Sequence, residues 1–234
     1  MKKKLVVLSG AGVSAESGIS TFRDSNGLWD NYNVDDVANI RGWYRNRSLV
    51  LEFYNIRRAE LAKVKPNSAH YAIADLEKDF NVTVITQNID NLHERAGSTK
   101  IIHLHGELTK VRPEDSYNDA DNFSEKKVFD IGYDKIELGD LSPEGVQLRP
   151  HIVWFEEPVP KIEAAINEVA KADIMLIIGT SLQVYPAAGL YRFARPEIPI
   201  YIIDPKDVPL HDKRIVHIKD VATNGMQQLA NMLY

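Results

Sequence analysis

Five short strand-like runs punctuate the chain, at residues 5–8, 82–85, 101–104, 174–178 and 200–203, and each stops at a polar or glycine-bearing motif. Runs of four or five residues dominated by Val, Ile and Leu suit strands covered on both faces, as in a parallel sheet. Between them lie stretches with helical spacing. Asn67 or Ser68 can cap a helix carrying Ala69, Ile73, Leu76 and Phe80. Pro160 stands at the start of another with Ile162, Ala165, Ile166 and Val169, and Thr223 can cap a last one with Met226, Leu229 and Leu233. Strand–helix alternation of this kind predicts an α/β fold, a parallel sheet with helices on both faces. In such sheets ligands bind beyond the carboxyl ends of the strands. The polar motifs fall at those ends: Gly10-Ala11-Gly12, Gln87-Asn88-Ile89-Asp90, His105-Gly106, Gly179-Thr180-Ser181 and Asp204.

Two stretches interrupt the alternation. Residues 36–65 are helical and rich in Arg, Tyr and Trp; residues 107–149 are polar with weak periodicity. The expected organisation is a large domain of residues 1–35, 66–106 and 150–234, with 36–65 and 107–149 forming a small inserted domain. Tyr117, Phe123, Val128, Phe129, Ile131, Tyr133, Ile136 and Leu138 are expected to pack the second insertion.

Composition removes several function classes. With 33 acidic and 28 basic residues the net charge is −5, which gives no electrostatic footprint for nucleic acid. No apolar run approaches the roughly 20 residues that span a bilayer. There is no cysteine, so there is no disulfide, thiol nucleophile or cysteine-bound metal. Lys2, Lys3 and Lys4 precede only four apolar residues before Ser9, too few for a secretory core, so a first strand and a cytoplasmic location are expected.

Gly10-Ala11-Gly12-Val13-Ser14-Ala15 fits G-x-G-x-x-A directly after a strand, a pattern that lets backbone amides approach a pyrophosphate. The acidic partner of a dehydrogenase ends a second strand about 20 residues on. Asp30 has that spacing but no strand before it.

The opening motif continues through Glu16-Ser17-Gly18-Ile19, then Thr21-Phe22-Arg23 and Gly27-Leu28-Trp29. With Thr86-Gln87-Asn88-Ile89-Asp90-Asn91-Leu92-His93, His103-Leu104-His105-Gly106-Glu107-Leu108, Arg149-Pro150-His151-Ile152-Val153-Trp154-Phe155 and Gly179-Thr180-Ser181, the chain resembles the sirtuins over nearly its whole length. The resemblance implies a Rossmann-like large domain and an NAD-dependent protein lysine deacylase. NAD is consumed: the acyl-lysine oxygen attacks the nicotinamide ribose, nicotinamide leaves, and the acyl group departs on ADP-ribose. It implies acyl-lysine proteins as substrates; a monomer is expected, with no nucleic-acid or membrane partner.

The resemblance makes His105 the general base, a role suited to an imidazole at a strand end followed by glycine. Asn88 is catalytic and also contacts the cofactor; it can bond the ribose or an ordered water. Asp90 can hold the nicotinamide carboxamide or balance the cationic ring. Phe22 can cover the reacting ribose, and Arg23 can contact the phosphates or brace its loop. Gly10, Ala11, Gly12, Ala15, Glu16, Thr21, Gln87, Gly179, Thr180, Ser181 and Ala222 complete the cofactor set. Asp204 suits the adenosine ribose hydroxyls and disfavours a 2′-phosphate, so NAD is expected over NADP. Val153 and Phe155 are expected at the substrate, and His93 and His103 are read as structural.

Tyr54 and Arg57 share one helix face at i and i+3. Their spacing alone also fits a solvated amphipathic helix. Sirtuins with this Tyr-x-x-Arg motif act on acidic acyl groups, which implies a pocket for a succinyl or malonyl carboxylate. Sirtuins usually hold a zinc with four cysteines in the segment corresponding to 107–149; here Pro113 stands where the first is typical. No metal is expected, and Asp115, Asp119, Asp121 and Asp134 read as a solvated surface. A mono-ADP-ribosyltransferase and a non-catalytic NAD or acyl-lysine binding module are the alternatives.

Overall fold

The computed structural model of the chain describes residues 2–20, 32–115, 127–208, 210 and 212–233. In chain order the first half holds β1 (Lys4–Ser9), α1 (Gly12–Ala15), α2 (Val34–Val37), α3 (Ile40–Arg45), α4 (Arg47–Leu61), α5 (Ser68–Asp75), β2 (Asn81–Thr86), α6 (Leu92–Ala96) and β3 (Ile101–His103). The second half holds β4 (Gly106–Pro113), β5 (Phe129–Asp130), β6 (Leu148–Ile152), α7 (Ile162–Ala170), β7 (Ile174–Ile178), β8 (Ile200–Ile203), β9 (Ile215–Ile218) and α8 (Ala222–Leu233).

Six strands form a parallel sheet in the order β3-β2-β1-β7-β8-β9. The chain winds outward from β1 through β2 to β3, then returns to lay β7 beside β1 and winds the other way. The strand order therefore reverses between β1 and β7, where an open α/β sheet leaves a ligand crevice. Register aligns the carboxyl ends: Ser9 pairs with Thr86 and Ile178, Thr86 with His103, and Ile178 with Ile203. One sheet face buries Leu5, Val7, Val84 and Leu176 under α5 and α8; the other buries Val6, Leu8, Met175 and Ile177 under α7 and the turn Ala187–Phe193. This is the Rossmann-like α/β fold expected.

A second sheet, β5-β4-β6, is antiparallel. It shares a third core with α2, α3 and α4, in which Trp43, Phe53, Tyr54, Val111, Ile136 and Trp154 are buried. These strands and β9 were not foreseen. Arg112 and Arg149 lie fully buried in β4 and β6, paired with a buried Glu157, so buried strands read as polar ones. Of the expected packing residues, Ile136 is buried, and Phe129 and Ile131 pack against the core. Tyr133 and Leu138 are exposed instead, and Tyr117, Phe123, Asp119 and Asp121 lie outside the described residues.

Asn67 caps α5 as expected, accepting from the Ala69 N–H at 2.9 Å, with His70 closing a capping box. Pro160 stands two residues before α7 rather than at its first turn. Thr223 sits inside α8, not before it. Its N–H and hydroxyl both donate to the Glu16 carboxylate, at 3.1 and 2.7 Å, so an acidic group from the end of α1 does the capping.

Candidate active site

At the reversal point the loops after β1 and β7 cross in contact. The Gly10 N–H donates to the Ile178 carbonyl at 3.0 Å, and the Gly12 N–H to the Gly179 carbonyl at 2.9 Å. A Cβ on Gly12 would lie 2.7 Å from the Gly179 Cα, and one on Gly10 would lie 2.6 Å from the Thr180 Cβ. Gly179 itself has φ +62°, a left-handed conformation that favours glycine. The glycine pattern thus serves backbone crossing as well as access for a ligand. Gly12→Ala is expected to destabilise the fold by about 1–3 kcal/mol, read as a lower Tm, because backbone rather than a flexible side chain must give way.

Polar side chains converge on this crossing from β2 and α1. Gln87 Nε2 donates to Thr180 Oγ1 at 3.0 Å and ties the two strand ends together. The buried Asn88 amide donates to the Gly10 carbonyl at 3.1 Å and to Ser14 Oγ at 3.2 Å, while its Oδ1 accepts nothing from the described residues. Ser14 Oγ in turn donates to Asp90 Oδ2 at 2.9 Å, and the Leu92 N–H donates to Asp90 Oδ1 at 3.0 Å. Burial raises the Asp90 pKa, and these two bonds oppose the rise. Ser14 is therefore a hub of the site. It lay within the glycine motif but carried no expected role.

His105 stands beside Gln87. Its Nδ1 lies 3.0 Å from the Gln87 carbonyl, which can only accept, so Nδ1 carries the proton and Nε2 of the neutral ring keeps its lone pair. Burial lowers its pKa, opposed by the Gln87 bond. The next residue, Gly106, has φ +82°, and a Cβ there would meet the His151 carbonyl at 2.0 Å. The Val153 N–H donates to the His105 carbonyl at 3.0 Å, which places the end of β6 against the histidine.

The remaining cofactor candidates spread along the same rim. Thr180 and Asp204 are buried, and Asp204 Oδ1 accepts from the Lys206 N–H at 2.9 Å. Ala11, Ala15 and Ser181 are half-buried, and Ala222 is buried at the start of α8. Glu16 is turned to Thr223. Thr21, Phe22 and Arg23 lie outside the described residues.

Tyr54 and Arg57 project from α4 toward this cluster. Arg57 is half-buried, and its charge acts on both Tyr54 and Asp90. Tyr54 is 2% exposed, and burial pushes its phenol well above the usual range, so it keeps its proton. Trp154 Nε1–H donates to the Tyr54 oxygen at 2.8 Å. The phenolic proton has no acceptor among the described residues. Phe155 follows, 43% exposed, with its N–H on the Ala38 carbonyl at 2.9 Å.

Behind the rim, His93 Nε2 lies 2.9 Å from Ser9 Oγ, and His70 stacks edge-on against His93 with ring centroids 5.0 Å apart. Burial lowers His70 to about 4, and His93 and His151 each to about 3. Because these values lie below the unfolded value of 6.5, the unfolded chain binds protons first as pH falls. The stability they confer is whole above pH 6.5 and drains away as pH falls toward about 4 for His70 and about 3 for His93 and His151, at about 1.4 kcal/mol per unit for each. His103 has the opposite sign. Burial lowers it, but Glu94 at 2.6 Å outweighs burial, so its contribution is present in acid and lost as pH rises through its raised pKa. Urea titrations at pH 7.5 and 5 should therefore show a loss of several kcal/mol at the lower pH; equal midpoints would contradict neutral burial of the three.

Glu94, His103 and Glu107 bring ligand atoms within 4.8 Å of one another. Their atoms are already paired, Glu94 with His103 at 2.6 Å and Glu107 with Lys110 at 2.8 Å. Strong chelators are accordingly expected to change neither Tm nor activity. One tightly held metal per chain by elemental analysis would overturn that.

Comparison with known proteins places this geometry. The family model described as the Sir2 family matches residues 10–186. An NAD-dependent protein deacylase of Bacteroides thetaiotaomicron is 54% identical over 233 residues, covering 99% of this chain and 98% of that protein. One of Helicobacter pylori is 50% identical over 228 residues, 97% of this chain and 96% of its own length. A crystal structure of a Sir2 homologue–NAD complex superposes with a TM-score of 0.85 at 37% identity, covering 99% of this chain and 90% of the other. A Sir2 protein bound to an acetylated peptide gives 0.76 at 27% identity, with 99% and 93% covered.

Proposed function

This chain belongs to the Sir2 family, and from that membership we propose that it removes acyl groups from protein lysine in an NAD-dependent reaction, acting on succinyl- or malonyl-lysine more strongly than on acetyl-lysine. NAD-dependent deacylation is the activity of relatives half-identical to it over almost its entire length. The site residues fit that cosubstrate: glycines cross at the strand reversal, and Asn88 Oδ1 and the Asp204 carboxylate offer acceptors for ribose hydroxyls. NAD supplies the ribose carbon that takes the acyl oxygen as nicotinamide leaves.

The chain's own residues hold and move protons around that exchange. His105 Nε2 takes the proton of the ribose hydroxyl that goes on to carry the acyl group. The Gln87 carbonyl keeps the ring in the tautomer that can do so. Ser14 fixes the Asn88 amide and the Asp90 carboxylate relative to each other. Gln87, by bonding Thr180, keeps the two halves of the crevice in register.

One observation carries the acyl preference. A phenolic proton on Tyr54 is buried with no acceptor among the described residues, one helical turn from a cationic Arg57. An unmet buried donor is costly, and an acyl carboxylate would meet it while pairing with the guanidinium. The test is kcat/KM on matched acetyl-, succinyl- and malonyl-lysine peptides with NAD, with products identified. The reading requires nicotinamide and O-acyl-ADP-ribose, with the acidic acyl groups faster. A faster acetyl reaction would overturn the preference, and stable ADP-ribosyl labelling of protein would overturn deacylation.

A further inference from the structure

We infer that Trp154 is a specificity-positioning residue: its indole N–H takes up the oxygen of the Tyr54 hydroxyl and so leaves the phenolic proton free to be given only to an acyl carboxylate. The inference rests on the acidic-acyl reading above and names the residue that makes Tyr54 a donor. Tyr54 and Trp154 are each 2% exposed and stand 100 residues apart in the chain. The contact is 2.8 Å, and an indole nitrogen can only donate, so the direction of the bond is fixed. The phenol's proton is still unmet, and no described residue accepts from it.

Trp154 is itself held on every side. Its main-chain N–H donates to Glu157 Oε2 at 2.8 Å. The Arg149 guanidinium lies 3.5 Å from the centroid of its ring and pairs with Glu157 at 2.6 and 3.0 Å. Trp43 packs beside it with ring centroids 5.5 Å apart, and Phe53 meets Tyr54 edge-on at 5.0 Å. A hydroxyl locked in this way is already oriented before substrate arrives, which is what discrimination by a single hydrogen bond requires. An acetyl group carries no carboxylate and asks nothing of this proton. The effect is thus on the ratio of the two activities, not on the chemistry they share.

The experiment is a double-mutant cycle on that ratio. Trp154→Phe should lower the succinyl-to-acetyl ratio of kcat/KM by about 5- to 10-fold, the range expected for one hydrogen bond, mainly through a raised KM for the succinyl peptide. In a Tyr54→Phe background the same change should leave the ratio where it is. Should Trp154→Phe fold poorly, benzothienylalanine at position 154 keeps the bicyclic shape without the N–H and should give the same fall. Because both activities come from one preparation, a loss of folded protein alone does not move the ratio. An unchanged ratio, or an equal fall with and without the Tyr54 hydroxyl, would overturn the role of Trp154. If Arg57→Met collapses the ratio while Trp154→Phe does not, only this inference is lost; if neither moves it, the acidic-acyl reading fails and this inference with it.

Discussion

His105→Ala is expected to lower deacylation by about 10²–10⁴-fold, the usual cost of removing a general base, while NAD binding stays within a few-fold of wild type. The separation follows from where the groups sit. The glycine crossing proposed to receive the phosphates is built from the ends of β1 and β7, whereas His105 follows β3 and, among the described residues, is tied to that crossing through the Gln87 carbonyl. Removing the imidazole takes away the Nε2 lone pair and leaves Gln87 Nε2 on Thr180. The pH profile gives a second readout. Burial lowers the His105 pKa, so the acid limb of kcat/KM should fall below pH 6.5 in the wild type, and the residual activity of the variant should lose that limb. Nicotinamide release and binding by calorimetry separate the two effects. Near-normal turnover in His105→Ala would mean that the base is another residue.

The parts of this fold that could be read from sequence are those where burial and hydrophobicity coincide. Residues 174–178 and 200–203 are apolar throughout, and the structure places β7 and β8 on those same residues. The site motifs were legible for a related reason. Parallel strands in register deliver their carboxyl ends to one rim, so Gly10, Gln87, His105 and Gly179 had to be near one another once the strands were recognised. Where burial and polarity coincide, the sequence misleads. β4 and β6 carry Arg112, Arg149 and His151 into a core, and those polar side chains hid two strands inside a segment that reads as surface. β9 was missed because it is a short edge strand with Val216 exposed and His217 turned to the Asp204 carbonyl at 3.0 Å. Long-range pairings leave no local signal. Glu16 capping α8 across 207 residues, and Trp154 gripping Tyr54, follow only from the packing of elements whose order along the chain says nothing about the contact.

Arg57→Met is expected to lower desuccinylation by at least ~10²-fold and to leave deacetylation near its wild-type rate, because a buried carboxylate stranded without its cation costs a few kcal/mol. A succinyl group carries its charge at the far end of the acyl chain, and a pocket that accepts it needs a cation and a second donor. α4 places both on one face: the half-buried Arg57 guanidinium and the buried Tyr54 hydroxyl. Arg57 supplies the charge and a planar fork that can bond both carboxylate oxygens. Methionine keeps much of the apolar stem and removes the fork, whose central carbon lies 5.5 Å from the centroid of the Phe53 ring. Tyr54→Phe should lose less, since one hydrogen bond to a charged group is worth about 1.5–3 kcal/mol, and it also leaves the Trp154 N–H without its acceptor. On the acidic-acyl reading an acetyl group does not extend to that end of the pocket, so its turnover in Arg57→Met should stay near the wild-type rate. The measurement is kcat/KM on paired acetyl- and succinyl-peptides for the wild type and both variants. Equal losses on the two substrates would show that Tyr54 and Arg57 serve the fold or the NAD site, and the acidic-acyl pocket would then have to be given up.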